Sequence, residues 1–176
     1  TLIGSSLAHP DQLHIGVFGD LAFFYDMNVC GNRHVGNNVR ILLVNNAKGN
    51  EFRNYGHYCS IFGEDGDRYI AAAGHYGAKS PLLIRHYAED LGYKYLFAAT
   101  KEEFLQNLEH FVNPKIGDKP IIFEVFTDTE GESGAIEIMR TFLNDPKTII
   151  KNKVMGFIRG ALGKKGIETA KRMLGR

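Results

Sequence analysis

Ile15-Gly16-Val17-Phe18-Gly19-Asp20 is a short apolar run that ends in a carboxylate, and a second run, Ile41-Leu42-Leu43-Val44-Asn45-Asn46, ends in two side-chain amides. Short apolar runs bounded by polar residues are typical of strands that are buried on both faces of a parallel sheet. About two dozen residues separate the two run ends, which suits one strand–helix–strand crossover. The pattern therefore predicts two neighbouring parallel strands whose carboxyl ends lie at the same sheet edge, where open α/β sheets bind ligands.

The polar residues at these two ends are suitable ligands for a hard cation. Asp20 offers a carboxylate and Asn46 an amide oxygen. A magnesium ion held by such oxygens keeps positions open for the oxygens of a diphosphate. If a helix begins after Asp20, the backbone amides of Leu21 and Ala22 face the same anion. The alternative is that Asp20 only caps that helix, which is a common role for Asp after a strand.

The pair Gly19-Asp20, followed after the gap by Asn45-Asn46, resembles the thiamine-diphosphate fingerprint of enzymes that cleave and join 2-oxo acids. The longer string Gly19-Asp20-Leu21-Ala22-Phe23-Phe24-Tyr25-Asp26-Met27-Asn28 is similar to one branch of them. That branch comprises the 2-succinyl-5-enolpyruvyl-6-hydroxy-3-cyclohexene-1-carboxylate synthases of the menaquinone pathway, with acetolactate-synthase-like relatives. The resemblance covers roughly residues 1–127. The usual third residue of the fingerprint is Gly, and the synthase branch tolerates the Leu21 found here.

The resemblance implies an α/β fold, a parallel sheet flanked by helices, which is the C-terminal, diphosphate-binding domain of a thiamine-diphosphate enzyme. It implies thiamine diphosphate and Mg²⁺ as cofactors. The implied metal ligands are Asp20, Asn46 and the main-chain carbonyl of Lys48, and the implied cofactor-binding residues are Gly19, Asp20, Leu21, Ala22, Asn46 and Phe52.

For two of these positions, Lys48 and Phe52, the implied role depends on the local structure. Lys48 stands where the family more commonly has Gly, and it would be strained if its backbone needed a positive φ. Phe52 is implied to line the cofactor and substrate pocket, with an ordinary core position as the alternative. We assign no catalytic residue to this chain, because the family's catalytic Glu lies on a different domain of the neighbouring subunit.

Composition bounds the class of protein. The chain has 44% hydrophobic and 23% charged residues, as expected for one globular domain with a core. A net charge of +1 gives no reason to expect nucleic acid as a partner. The two cysteines lack CxxC spacing, which favours a reducing, cytoplasmic location. No apolar stretch approaches the roughly 18–20 residues that span a bilayer, so we expect no membrane partner.

The chain lacks an initial Met and opens on what reads as the end of a helix. We therefore expect a piece of a longer enzyme, with residues 1–143 as a partial cofactor-binding domain and 144–176 as a basic helical extension. The expected partners are the missing N-terminal domains, a 2-oxo acid substrate and further copies in a homodimer or homotetramer. Without those domains we expect the piece to be inactive.

Periodicity and turn signals predict the order of the elements. The first residues form the end of a helix, and a long Gly-, Asn- and Tyr-rich loop follows the second strand. Thr100 to Glu103 form a capping box. The predicted strands are 13–18, 39–44, 93–97 and 121–126, and the predicted helices are 1–9, 21–33, 81–91, 100–112, 131–143, 146–161 and a basic one from 166.

Histidines and cysteines outside the fingerprint are weaker candidates. His75 lies between Gly74 and Gly77, which favours a close backbone approach, yet most lone histidines are solvated or packed side chains. Cys30 and Cys59 are more often small buried hydrophobes than nucleophiles. His57 and His86 have no carboxylate at a motif spacing.

The resemblance implies the function of a synthase domain: 2-oxoglutarate is decarboxylated and its succinyl carbanion is added to isochorismate. An acetolactate-synthase-like enzyme or a 2-oxo acid decarboxylase is the alternative within the class. A non-catalytic phosphate-binding α/β module is the alternative from another class, and it would not need Asn45-Asn46. Neither GxGxxG nor a P-loop occurs, which disfavours a Rossmann or P-loop protein.

Overall fold

The computed structural model describes residues 1–53, 57–72 and 80–143. The chain divides into two compact units, residues 1–132 and 133–176, and the sheet with every site residue discussed below belongs to the first. The predicted helices at 146–161 and from 166, the basic extension and His75 lie outside the described residues. They and the predicted domain boundary stay predictions.

Four parallel strands form one sheet in the order β1-β2-β4-β3. They lie within a residue or two of the predicted positions, and the α/β class with a parallel sheet is confirmed. The register pairs Gly19 with Val44, so the residues that follow β1 lie beside those that follow β2. The strands are β1 (His14–Gly19), β2 (Val39–Asn45), β3 (Lys94–Ala98) and β4 (Ile121–Phe126).

Helices connect the strands, as the alternating pattern predicts. The predicted helix at 21–33 is shorter than expected: its α-helical part ends at Asp26 and Met27–Gly31 continue as a 3₁₀ turn. Asn, Val and Gly in that turn are poor helix formers, which explains the change. None of the described helices is both long and apolar enough to cross a membrane. The helices are α1 (Leu2–Ala8), α2 (Asp20–Asp26), α3 (Asp67–Ile70), α4 (Leu83–Asp90), α5 (Lys101–Val112) and α6 (Thr129–Leu143).

One face of the sheet carries the larger core. Leu43 of β2 and Ile122 of β4 are fully buried there, because alternate residues of neighbouring parallel strands point to the same side. Phe23 of α2 and Ile84 of α4 join the same cluster. Burying side chains of this size contributes roughly 1.5–3 kcal/mol each, so this cluster anchors α2 and with it the end of β1.

The opposite face is covered by α5 over β3 and β4. Phe123 packs between Phe104 and Phe111 of that helix, with both ring-centroid distances at 5.5 Å. Toward β1 the same face is open, since Ile15 and Val17 are 45% and 65% exposed. The aromatic cluster therefore fixes the β3–β4 half of the sheet.

Helix α5 begins with the predicted capping box. The Glu103 backbone N–H donates to Thr100 Oγ1 at 3.2 Å, and the Thr100 backbone N–H donates to Glu103 Oε2 at 3.1 Å. Because two of the amides at the helix start are satisfied in this way, the box fixes the point at which α5 leaves β3.

We expect Thr100→Ala to lower the free energy of unfolding by about 1 kcal/mol, because the helix start loses its hydroxyl acceptor. Thr100→Ser keeps that acceptor and should retain most of the stability. Urea denaturation of the two variants and the parent protein measures both changes. An unchanged midpoint for Thr100→Ala would show that the box does not stabilise this fold.

Candidate functional site

Asp20 lies at the carboxyl edge of the sheet, directly after β1. It is the first residue of α2 and only 1% exposed, and its Oδ1 accepts a hydrogen bond from the Leu21 amide at 2.9 Å. The N-cap residue is Gly19, which makes no side-chain cap hydrogen bond. The Asp20 carboxylate therefore holds an amide at the helix start as well as lying at the predicted metal position. The Leu21 amide, which we expect to face phosphate, donates to Asp20 in this structure.

Asn45 and Asn46 form two successive turns after β2. The Ala47 amide donates to Asn45 Oδ1 at 3.1 Å, and the Lys48 amide donates to Asn46 Oδ1 at 3.0 Å. Such side-chain turns let the following backbone enter the left-handed region. Ala47 takes that conformation, with φ of +68°, and Lys48 is not among the described residues with positive φ. The condition for strain at Lys48, a positive φ, is met instead at Ala47.

The carboxylate of Glu132, in the first turn of α6, accepts hydrogen bonds from several polar side chains at this edge. Asn46 Nδ2 donates to Glu132 Oε1 at 3.0 Å and to Oε2 at 2.9 Å. Asn50 Nδ2 and Thr127 Oγ1 donate to the same carboxylate. Because an ionised carboxylate only accepts, both amide groups must turn their nitrogens toward Glu132 and their oxygens away from it.

Asn50 has a feature that its neighbours lack. The residue is 6% exposed, and its Oδ1 is buried without a hydrogen-bond partner in the described part of the chain. The sequence patterns alone do not single out Asn50 or Glu132. No local signal connects them, because Glu132 lies more than eighty positions further along the chain.

A second buried carboxylate, Glu124 of β4, holds Asn45. Asn45 Nδ2 donates to Glu124 Oε1, and the Tyr95 hydroxyl donates to Glu124 Oε2 at 2.6 Å. Burial raises the pKa of Tyr95 strongly, and the bond to Glu124 adds to the rise, so the hydroxyl stays protonated and remains a donor. Both the nitrogen and the oxygen of the Asn45 side-chain amide are therefore hydrogen-bonded within the protein.

A third carboxylate, Asp67, anchors the loop that follows Asn46. It is 3% exposed and pairs with Lys48 Nζ at 2.6 Å and with Arg53 Nη1 at 2.8 Å. The Gly49 amide donates to the Ile70 carbonyl at 2.7 Å in the same loop. The Lys48 side chain is thus directed to Asp67, and the charge of Lys48 is neutralised there.

Leu21 and Phe52, both predicted to bind the cofactor, meet at Gly49. A Cβ atom on Gly49 would lie 2.7 Å from Leu21 Cδ2 and 3.2 Å from Phe52 Cδ2, so the two side chains fill the space beside this glycine. Phe52 also contacts the ring of His57, with centroids 5.1 Å apart and the rings at 88°. Leu at the fingerprint's third position therefore forms part of an apolar wall shared by the loops after β1 and β2.

The predicted metal donors fit a hard cation by their chemistry. A carboxylate, an amide oxygen and a main-chain carbonyl are the ligands that magnesium takes, and magnesium keeps its other positions for water and phosphate. Across residues 1–53, 57–72 and 80–143, no group of three or more His, Cys, Asp or Glu side chains is arranged to hold a metal. The edge of the sheet therefore offers oxygen donors from single residues rather than a cluster of charged ligands.

Several known proteins with similar sequences share one name. The chain is 34% identical over 136 residues to a 2-succinyl-5-enolpyruvyl-6-hydroxy-3-cyclohexene-1-carboxylate synthase of Phocaeicola vulgatus, covering 76% of this chain and 22% of that protein. Synthases of the same name from Bacteroides fragilis and Bacteroides thetaiotaomicron are 35% and 34% identical over 73% and 69% of this chain. The chain spans about a fifth of the length of these curated relatives. No protein-family model matches it.

We expect Asp67→Asn to lower the free energy of unfolding by about 2 kcal/mol, because Lys48 and Arg53 lose their shared charged acceptor. Asp65→Asn is a matched control two positions away. Its carboxylate is 88% exposed and pairs with Arg68 at 3.5 Å, so its loss should change stability by well under about 1 kcal/mol. Urea denaturation of both variants tests this difference, and equal effects would contradict it.

Proposed function

The chain is homologous to one segment of the 2-succinyl-5-enolpyruvyl-6-hydroxy-3-cyclohexene-1-carboxylate synthases, and on that premise we propose that it binds the magnesium–diphosphate end of thiamine diphosphate. In this proposal it works as part of a larger enzyme that decarboxylates a 2-oxo acid and transfers the resulting acyl group.

One observation carries the proposal: Asp20 and Asn46 follow two adjacent parallel strands at the same sheet edge. Asp20 has a carboxylate withdrawn from bulk solvent, and the amide of Asn46 has its nitrogen held by Glu132. Oxygens of both residues, with the Lys48 carbonyl, are the donors that we assign to Mg²⁺. The engagement of the Lys48 ammonium with Asp67 supports this assignment, because it keeps a competing positive charge paired.

The space around the strand end supports a cofactor beside these donors. Among the described residues, and apart from its chain neighbours, nothing lies within 4 Å of a Cβ atom placed on Gly19, so the backbone there has room for a ligand. We propose that Gly19, Leu21 and Ala22 contact the diphosphate or the adjoining ring, and that Phe52 extends the apolar wall toward the substrate. When bound, thiamine diphosphate supplies a nucleophilic carbon and an electron sink for decarboxylation.

The residues of this chain would anchor and orient the cofactor rather than move protons. The resemblance assigns the catalytic Glu to another domain, and we assign no catalytic residue here. The remaining domains of the enzyme and a further copy of it in a homodimer or homotetramer would complete the site. We place the enzyme in the cytoplasm, because the two cysteines lack CxxC spacing.

For the reaction itself we propose decarboxylation of 2-oxoglutarate and addition of the succinyl unit to isochorismate, as the resemblance implies; the relatives share the name of the synthase branch that carries the resemblance. An acetolactate-synthase-like reaction on pyruvate is the second candidate. A non-catalytic phosphate-binding module would leave unexplained why Asn45 and Asn46 are each held by a buried or half-buried carboxylate.

We expect Asp20→Ala and Asn46→Ala in the full-length protein each to abolish Mg²⁺-dependent binding of thiamine diphosphate. Because both residues would hold one ion, the double variant should lose little more than either single variant. Asp26→Ala, on an exposed residue at the other end of α2, is the matched control and should bind as the parent does. Isothermal titration calorimetry measures the four variants and the parent, and parental affinity in either single variant would refute the assignment.

We expect the full-length enzyme to consume 2-oxoglutarate at least tenfold faster than pyruvate, a preference of about 1.4 kcal/mol in transition-state binding. The distal carboxylate of 2-oxoglutarate requires a cationic partner, because a buried unpaired carboxylate costs several kcal/mol. Steady-state rates with both oxo acids measure the preference. Faster turnover of pyruvate would move the assignment to the acetolactate-synthase-like candidate and leave the cofactor site as proposed.

A further inference from the structure

Glu132 and Asn50 add two residues to the site that the fingerprint does not contain. We infer that Glu132 is a positioning residue of the cation site and that Asn50 Oδ1 is a further oxygen acceptor for the hydrated cation. The inference rests on the proposed function, because it concerns the ion that would hold the diphosphate.

Glu132 determines which way two amide groups face. Its carboxylate receives Nδ2 of Asn46 through both oxygens and Nδ2 of Asn50 through Oε2. A side-chain amide reversed at either position would set a carbonyl oxygen against a carboxylate, so the observed orientation is strongly preferred. The Thr127 hydroxyl donates to the same carboxylate and fixes it in turn. Both amide oxygens are consequently presented away from Glu132.

Asn50 Oδ1 is a buried acceptor that a ligand would satisfy. The residue is more than nine-tenths buried, its nitrogen is occupied by Glu132, and its oxygen has no partner in the described part of the chain. Leaving a buried acceptor without a donor costs about 1–3 kcal/mol, so a donor bound at this oxygen would stabilise the site.

The chemistry of an amide oxygen limits what that ligand is. It accepts hydrogen bonds and binds cations, and it repels the oxygens of a phosphate. Magnesium in proteins keeps several bound waters, each of which is a strong donor. A water on an ion held by Asn46 would be such a donor, and the shared contact with Glu132 places the Asn50 amide beside that of Asn46.

A purely structural role for Glu132, tying the loop after β2 to the start of α6, predicts a different outcome. In that case Glu132→Gln would lower the thermal stability of the protein and leave cation affinity unchanged. For a positioning role, cation affinity falls, because Gln replaces one of the two acceptor oxygens with an NH₂ group, which cannot accept from either amide. Partners of this kind around metal ligands change metal affinity by about 10–100-fold when they are replaced.

The test uses Mn²⁺ as the probe in place of Mg²⁺, with thiamine diphosphate and the full-length protein. Electron paramagnetic resonance measures free Mn²⁺ in the titration and the spectrum of the bound ion in frozen solution. The variants are Glu132→Gln and Asn50→Ala. The matched control is Glu130→Gln, the same substitution on an exposed residue in the same helical turn. Thermal unfolding without metal or cofactor accompanies each titration.

We expect the dissociation constant of Mn²⁺ to rise about tenfold or more in Glu132→Gln, with a changed bound-ion spectrum. Asn50→Ala should raise it severalfold, and it serves as the second variant if Glu132→Gln does not fold. Glu130→Gln should match the parent in affinity, spectrum and melting temperature. Parental Mn²⁺ affinity in both site variants would overturn the inference while leaving the proposed function intact. Failure of the parent protein itself to bind Mn²⁺ with thiamine diphosphate would overturn both.

Discussion

Parallel pairing of β1 with β2 is the constraint on which the site depends. Because Gly19 lies opposite Val44 in that register, the carboxylate after one strand and the two amides after the other reach the same edge of the sheet. A shift of one residue would turn Leu43 out of the core, so burial of the apolar face fixes the register. The hydrophobic core thereby also sets the positions of the polar residues.

Three carboxylates bind the segment that runs from the last residue of β2 into the following loop, and each carboxylate binds different residues of it. Glu124 holds Asn45, Glu132 holds Asn46 and Asn50, and Asp67 holds Lys48. Hydrogen bonds to a charged acceptor are stronger than those between neutral groups, so a loop without α-helix or strand is held in one conformation. A loop fixed in this way can present oxygens to a cation without first becoming ordered, which lowers the cost of binding.

Local patterns gave the strands, most helices and the capping box, because each depends on residues within a few positions of one another. Local patterns predict only part of the site. Asp20 and Asn46 follow apolar runs and stand out, whereas Glu132 meets Asn46 only after the chain has crossed the sheet twice more. The turn after Asn46 shows the same limit: the positive φ falls on Ala47, since its position depends on which amide each Asn side chain accepts.

The position of the bound cation tests the account most directly. Crystals of the full-length protein grown with Mn²⁺ and thiamine diphosphate would locate the ion by its anomalous scattering. We predict a single peak at the carboxyl edge of β1 and β2, within about 2.0–2.3 Å of oxygens of Asp20, Asn46 and the Lys48 carbonyl, as for a small octahedral cation. A peak bound by other residues, or a cofactor bound with no ion between Asp20 and Asn46, would contradict the account.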